Sequence, residues 1–124
     1  MSEITSVRMG EFAGTASLSD GQIYVRLEGN GDLNAKPAFE SFLPRVHQEA
    51  LSHGVSEVIV DLRTLEFMNS SCFKDVVSWI CEVQDLESDK QYQIRFRSNP
   101  GFHWQRRSLH VLKTFATDLV HVDS

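Results

Sequence analysis

Val58-Ile59-Val60-Asp61-Leu62-Arg63-Thr64-Leu65-Glu66-Phe67-Met68-Asn69-Ser70-Ser71-Cys72 holds three local signals in a row. The opening apolar run is short and β-branched, as in a central strand of a parallel sheet. Arg63–Met68 reads as a connection. Asn69-Ser70-Ser71 then supplies side chains that satisfy the free N–H groups at a helix start. A helix from about Ser70 to Gln84 follows, with Phe73, Val76/Val77, Ile80 and Gln84 expected on its apolar stripe.

Upstream, residues 11–18 and 22–28 read as two strands joined by Asp20-Gly21, a hairpin signal. Ile23, Val25 and Leu27 alternate with Tyr24, Arg26 and Glu28, so one set faces a core. Gly29-Asn30-Gly31-Asp32 breaks the second strand. A helix over 35–53 follows, with Ala35, Phe39, Phe42, Val46 and Ala50 as its stripe. Pro37 suits its first turn and Gly54 its stop, while Pro44 is expected to kink or divide it. Downstream come a strand through Tyr92, Ile94 and Phe96, and a loop at Ser98-Asn99-Pro100-Gly101. A helix over about 103–116 follows, with Leu109, Leu112 and Phe115/Ala116 inward, and then a short strand at Leu119–Val122. The order β-β-α-β-α-β-α-β predicts an α/β domain with a mixed, mostly parallel sheet covered by helices. One domain is expected over 1–124, with its core at about 11–122. Ligands and partners of such sheets meet the loops at the strands' carboxyl ends, here Gly29–Asn34, Arg63–Ser71 and Ser98–Trp104.

Composition narrows the function classes. Hydrophobic residues make up 41% and charged residues 23%, a globular balance. No apolar run approaches the ~20 residues of a membrane span, so no membrane insertion is expected. Met1–Gly10 lacks the apolar core of a secretory signal, so the expected location is cytoplasmic. Cys72 and Cys81 form no CxxC pair and fit a reducing compartment. The net charge of −5 argues against nucleic-acid binding. Fifteen of the seventeen acidic residues precede residue 90, whereas 90–113 holds Lys90, Arg95, Arg97, Arg106, Arg107 and Lys113 and no acid. Such asymmetry marks either a solvated face or an anion or partner surface. No histidine pair has metal-site spacing, and no cofactor is expected. Asp61 at a strand end reads as a turn cap. Ser70 lacks the small neighbours of a nucleophile elbow, since Met68 and Cys72 stand where glycines are needed. An enzyme is therefore the least favoured class.

The segment from Val58 to Cys72 resembles the signature of STAS domains, the family of bacterial anti-sigma factor antagonists. In that family a buried strand and a short apolar loop lead into Asp-Ser-Ser-Gly at a helix start. Gly31-Asp32-Leu33 resembles the family's Gly-x-Leu-Asp segment, and the element order fits from about residue 11 to 122. The resemblance implies partner switching in bacterial signal transduction and transcription regulation. An unmodified antagonist binds an anti-sigma factor, usually a serine kinase of the GHKL type. Phosphorylation breaks the complex, and a phosphatase resets it. By position, the phosphorylated serine is Ser70, and Asp32, Met68, Asn69, Ser70, Ser71 and Phe73 form the implied partner surface. Two positions depart from the pattern. Asn69 replaces the Asp and removes its charge, and Cys72 replaces the Gly, where a side chain is expected to hinder a kinase's approach. Two other functions are compatible with these residues. One is a phosphorylation-independent STAS scaffold in a signalling or transport complex. The other is a binder of a small anion held by Arg97, Arg106 and Arg107.

Overall fold

The computed structural model describes residues 2–123. Seven strands and three helices follow in the order β1 (Ser2–Met9), β2 (Phe12–Ser19), β3 (Gln22–Gly31), α1 (Lys36–His53), β4 (Glu57–Asp61), β5 (Leu65–Met68), α2 (Ser70–Gln84), β6 (Gln93–Arg97), α3 (His103–Phe115) and β7 (Val120–Asp123). They form a single α/β domain with one mixed sheet, ordered β1-β2-β3-β4-β6-β7, and β5 is an extra partner of β3. β1, β2 and β3 are antiparallel neighbours, and β3, β4, β6 and β7 run parallel. The Asp20-Gly21 turn has both residues at positive φ, 52° and 75°, the backbone a two-residue hairpin demands.

Two strands lie where no strand was expected. β1 escapes the period-two test because its register slips between Glu3 and Thr5. Ile4 and Val7, three apart, therefore both reach the core. β5 has four residues, two of them exposed, and extends the sheet only beside the last residues of β3. The glycine-rich break after Glu28 is thus a bulged continuation of β3.

The helices cover one face of the sheet. A single core cluster joins Ile23, Val25 and Leu27 to Phe39, Phe42 and Val46 of α1, Val76 and Ile80 of α2, and Leu109 and Leu112 of α3. The opposite face carries no helix among the described residues, yet Val58, Ile59 and Val60 of β4 are all buried, as the apolar run suggests. Register sets Tyr24, Ile59, Arg95 and His121 in one row across that face, with Arg26, Asp61, Arg97 and Asp123 in the next. Arg95 bonds Glu57 at 3.1 Å and Asp123 at 3.0 Å, and long polar side chains shield Ile59. Asp61 caps the following turn from Arg63 N and pairs with the Arg63 and Arg26 guanidiniums, which hold its pKa below the ordinary carboxylate value.

α1 is one unbroken helix despite Pro44, whose exposed ring sits on the solvent side. The stripe of α2 includes Val76 and Ile80 as expected but runs through Cys72 and Val83 rather than Phe73 and Gln84. Cys72, Val76, Trp79, Ile80 and Val83 are buried, whereas Phe73 and Val77 are half-buried and Gln84 is exposed. Trp79 is anchored on that stripe, its Nε1 donating to Tyr92 Oη at 2.7 Å. On α3 the inward residue is Ala116, and Phe115 points outward, 46% exposed.

Candidate functional site

Three chain segments meet at the carboxyl end of β3. Gly29, Asn30 and Gly31 pair with Leu65, Phe67 and Met68 of β5. Gly29 sits at φ +89°, and a Cβ there would lie 1.7 Å from Glu11 O, so only glycine fits. A Cβ on Gly31 would come within 2.9 Å of Phe67 O, so the strands can close up only around glycine. Asn69 N donates to Gly31 O at 2.7 Å and ties the start of α2 to the end of β3. Asp32 accepts from Asn34 N to cap a 3-10 turn over Leu33–Ala35, and its carbonyl faces the Cys72 thiol at 3.7 Å.

The approach to α2 is clamped through its backbone. Five consecutive carbonyls, Leu62 to Glu66, each have a donor. Gln105 Nε2 serves Leu62 O at 2.6 Å and Leu65 O at 3.0 Å, and Asn99 Nδ2 serves Arg63 O at 3.0 Å. Gly29 N serves Thr64 O at 3.0 Å, and Trp104 Nε1 serves Glu66 O at 2.8 Å. The bonds to Leu62 O and Leu65 O are buried, where a carbonyl without a donor is costly. Gln105 is 0% exposed, and its Oε1 accepts from Asn99 N at 2.7 Å.

Asn69, extended at φ −65° and ψ 150°, is the N-cap, and its Oδ1 accepts from Ser71 N at 2.7 Å. An uncharged amide therefore performs the cap. Ser70 is exposed at the first helical position. Ser71 is half-buried, and its carbonyl accepts from Lys36 Nζ at 3.0 Å. Lys36 also pairs with Asp75 at 2.8 Å and Glu40 at 3.4 Å, and the Asp75 carboxylate raises its pKa. Cys72 points into the core. Its side chain thus does not stand in the way of an approach to Ser70, as the sequence reading expected, and burial pushes its thiol pKa up to about 11.

Asp32, Met68, Asn69, Ser70, Ser71 and Phe73 accordingly lie at one end of the sheet. Sequence reasoning left Leu33, 65% exposed, and Phe67, 46% exposed, out of the contact set. A large apolar residue among Gly31, Asp32 and Asn34 was the available signal for Leu33. Gln105 was also missed, although it stands at the inward phase of Leu109, Leu112 and Ala116, where a polar residue must find buried partners.

Arg97, Arg106 and Arg107 are not gathered into one site. Arg97 lines a depression on the open sheet face with Arg26, Asp61 and Arg63. Arg106 lines a groove beside α3, on the helical side. Arg107, roughly 100° further round the helix, lines neither and is exposed.

This site stands on the fold of the anti-sigma factor antagonists, the STAS-type α/β fold. A solved anti-sigma factor antagonist from Mycobacterium paratuberculosis is similar with a TM-score of 0.61 at 17% identity, over 89% of this chain and 85% of that one. The anti-sigma factor antagonist SpoIIAA in its unphosphorylated form is similar with a TM-score of 0.62 at 15% identity, over 90% and 88%. At these identities the likeness is one of fold. No family model matches the chain, and no curated protein matches its sequence. No helix among the described residues is long and apolar enough to cross a membrane.

Proposed function

We propose that this protein is a regulatory protein-binding module that works like an anti-sigma factor antagonist. It docks an anti-sigma-type serine kinase through Asp32, Leu33, Phe67, Met68, Ser70 and Phe73. The observation that carries this reading is the placement of Ser70. Its exposed side chain opens α2 beside exposed Phe67, on a fold shared with anti-sigma factor antagonists. Leu33 and Phe67 offer apolar surface of the kind partners cover. Phosphorylation of Ser70 would add nearly two negative charges to that surface. The helix start tolerates a phosphate, because its N–H groups and dipole favour an anion and no acid stands in its first turn. The fold thus survives modification while the apolar contact does not. Switching is then local repulsion and desolvation, with no relay through the core.

The test is capture from bacterial lysate with wild type, Ser70→Ala and Ser70→Asp, together with intact-mass analysis after incubation with lysate and ATP. The reading expects one kinase partner recovered by wild type and Ser70→Ala and recovered more weakly by Ser70→Asp. It also expects a mass gain of one phosphoryl group in wild type that is absent from Ser70→Ala. Equal recovery by all three proteins with no mass gain would replace the switch with a phosphorylation-independent scaffold. Asn69 favours that second reading, because the cap is met without the carboxylate found in the family pattern.

A further inference from the structure

Beside α3 runs a groove of about 300 Å³, remote in sequence from the Asn69–Phe73 patch and independent of it. Its floor is apolar, from Leu109 and Val122, and one wall carries Arg106, His110 and Lys113. Their spacing of four and three residues sets these cationic and titratable side chains on one stripe of the helix. Neither Arg106 nor Lys113 has an ion-pair partner among the described residues, and no acid lines the groove. By contrast, Arg95, the nearby cation on the open face, is held by both Glu57 and Asp123.

The groove adjoins β7. That strand pairs with β6 on one side and has no strand on the other among the described residues. A sheet edge of this kind offers backbone donors and acceptors to an incoming strand, here over a short stretch because Val120 N is already bonded to Ala116 O at 2.9 Å. We propose that the β7 edge and the α3 groove together bind an extended acidic peptide segment. The segment adds to the sheet beside β7. Alternate side chains of an added strand fall on one face. Acidic residues at every second position therefore meet Arg106, His110 and Lys113, while the backbone bonds the edge. Charge complementarity selects this occupant. The groove combines uncompensated positive charge with an apolar floor, and a basic or uncharged strand would leave Arg106 and Lys113 unpaired beside it.

The probe is a short fluorescein-labelled peptide of alternating Glu and Val, titrated by anisotropy at low salt against the whole chain. Its Gln-for-Glu analogue and inorganic phosphate serve as comparisons. The expected result is saturable binding that weakens about tenfold or more, ~1.4 kcal/mol, in the Arg106→Glu/Lys113→Glu variant and with the Gln peptide. Amide resonances of Val120–Asp123 should shift on binding. Ser70→Asp and the exposed-cation control Lys74→Glu should bind as wild type does. Both groove positions are exposed, so the double variant should keep the wild-type circular dichroism spectrum. Equal binding by wild type and the double variant overturns the proposal, as does shift perturbation confined to other strands. Displacement of the peptide by inorganic phosphate at comparable concentration would make the groove a small-anion site and would also overturn it.

Discussion

Gln105 is the place to test whether the start of α2 is held from α3. Replacing it with Leu keeps the approximate shape and removes three hydrogen bonds, to Leu62 O, to Leu65 O and from Asn99 N. Leu62 O keeps the N–H of Leu65 at 3.0 Å, so the main loss falls on Leu65 O and Asn99 N. A buried polar group stripped of its partner costs about 1–3 kcal/mol, and Asn99 is only half-buried, so the gross loss is about 3 kcal/mol. The apolar side chain returns about 1 kcal/mol by burial, leaving a net loss of about 2 kcal/mol. For a chain of this size that lowers Tm by about 8 °C. Urea unfolding followed by circular dichroism measures it, and hydrogen exchange should quicken at Leu65–Met68 first. Gln105→Glu supplies the sign. It keeps an acceptor for Asn99 N but turns a carboxylate toward two carbonyls, so its folded pKa rises above the unfolded value. Its deficit against wild type is therefore largest at neutral pH and shrinks as acid protonates the group. A Tm drop under about 2 °C for Gln105→Leu, or a Gln105→Glu deficit that does not respond to pH, would refute the clamp.

Gly29→Ala should cost about 3 kcal/mol or more, because it combines a positive φ with a clash against backbone that cannot swing away; near-wild-type urea stability would mean the bulge relaxes. His47 should make stability fall as pH drops below about 6.5. Burial lowers its folded pKa against the opposing pull of Glu82, so through that window the unfolded chain takes up a proton that the folded chain refuses. Tm measured between neutral and mildly acid pH should show this decline, and His47→Gln should flatten it. A thiol reagent should modify half-buried Cys81 in the native protein, while Cys72, buried with its pKa pushed up to about 11, should react only on unfolding. Equal native rates in Cys81→Ser and Cys72→Ser would place Cys72 outside the core.

The sheet from β2 to β4 was legible because its signals are local. Val58–Val60, the alternation from Ile23 to Leu27 and the Asp20-Gly21 turn each name their element within a few residues. The N-cap at Asn69 fixed the start of α2. What escaped was set by partners distant in sequence. β1 is a strand because β2 offers it an edge, and its bulge erases the alternation that would announce it. β5 is a strand because Gly29 and Gly31 let β3 continue past its apparent break. The buried stripe of α2 includes Trp79, whose indole N–H finds its partner on Tyr92, thirteen residues on. In the site, the cap residues were readable, but Lys36 on Ser71 O and Gln105 under β5 arrive from other helices.

The same long-range bonds change what the two departures from the family pattern mean. Buried Cys72 leaves the solvent side of the helix start open, so its replacement of glycine affects packing rather than access. Asn69 keeps the cap bond and gives up the charge, and Lys36, whose Nζ reaches Ser71 O, is paired with two carboxylates, Asp75 at 2.8 Å and Glu40 at 3.4 Å. Asn69 thus leaves the docking end one negative charge short of the family pattern, with Asp32 still on it and Leu33 and Phe67 exposed. A phosphate there brings nearly two negative charges onto apolar surface that a partner must desolvate. A phosphate on Ser70 would therefore be a strong switch wherever a kinase can install it. Ser70→Asp, with about one charge against nearly two, should reproduce only part of the effect, so a phosphorylated sample must bind the partner more weakly than Ser70→Asp does; the reverse order, read by titration calorimetry, would refute charge as the agent of release.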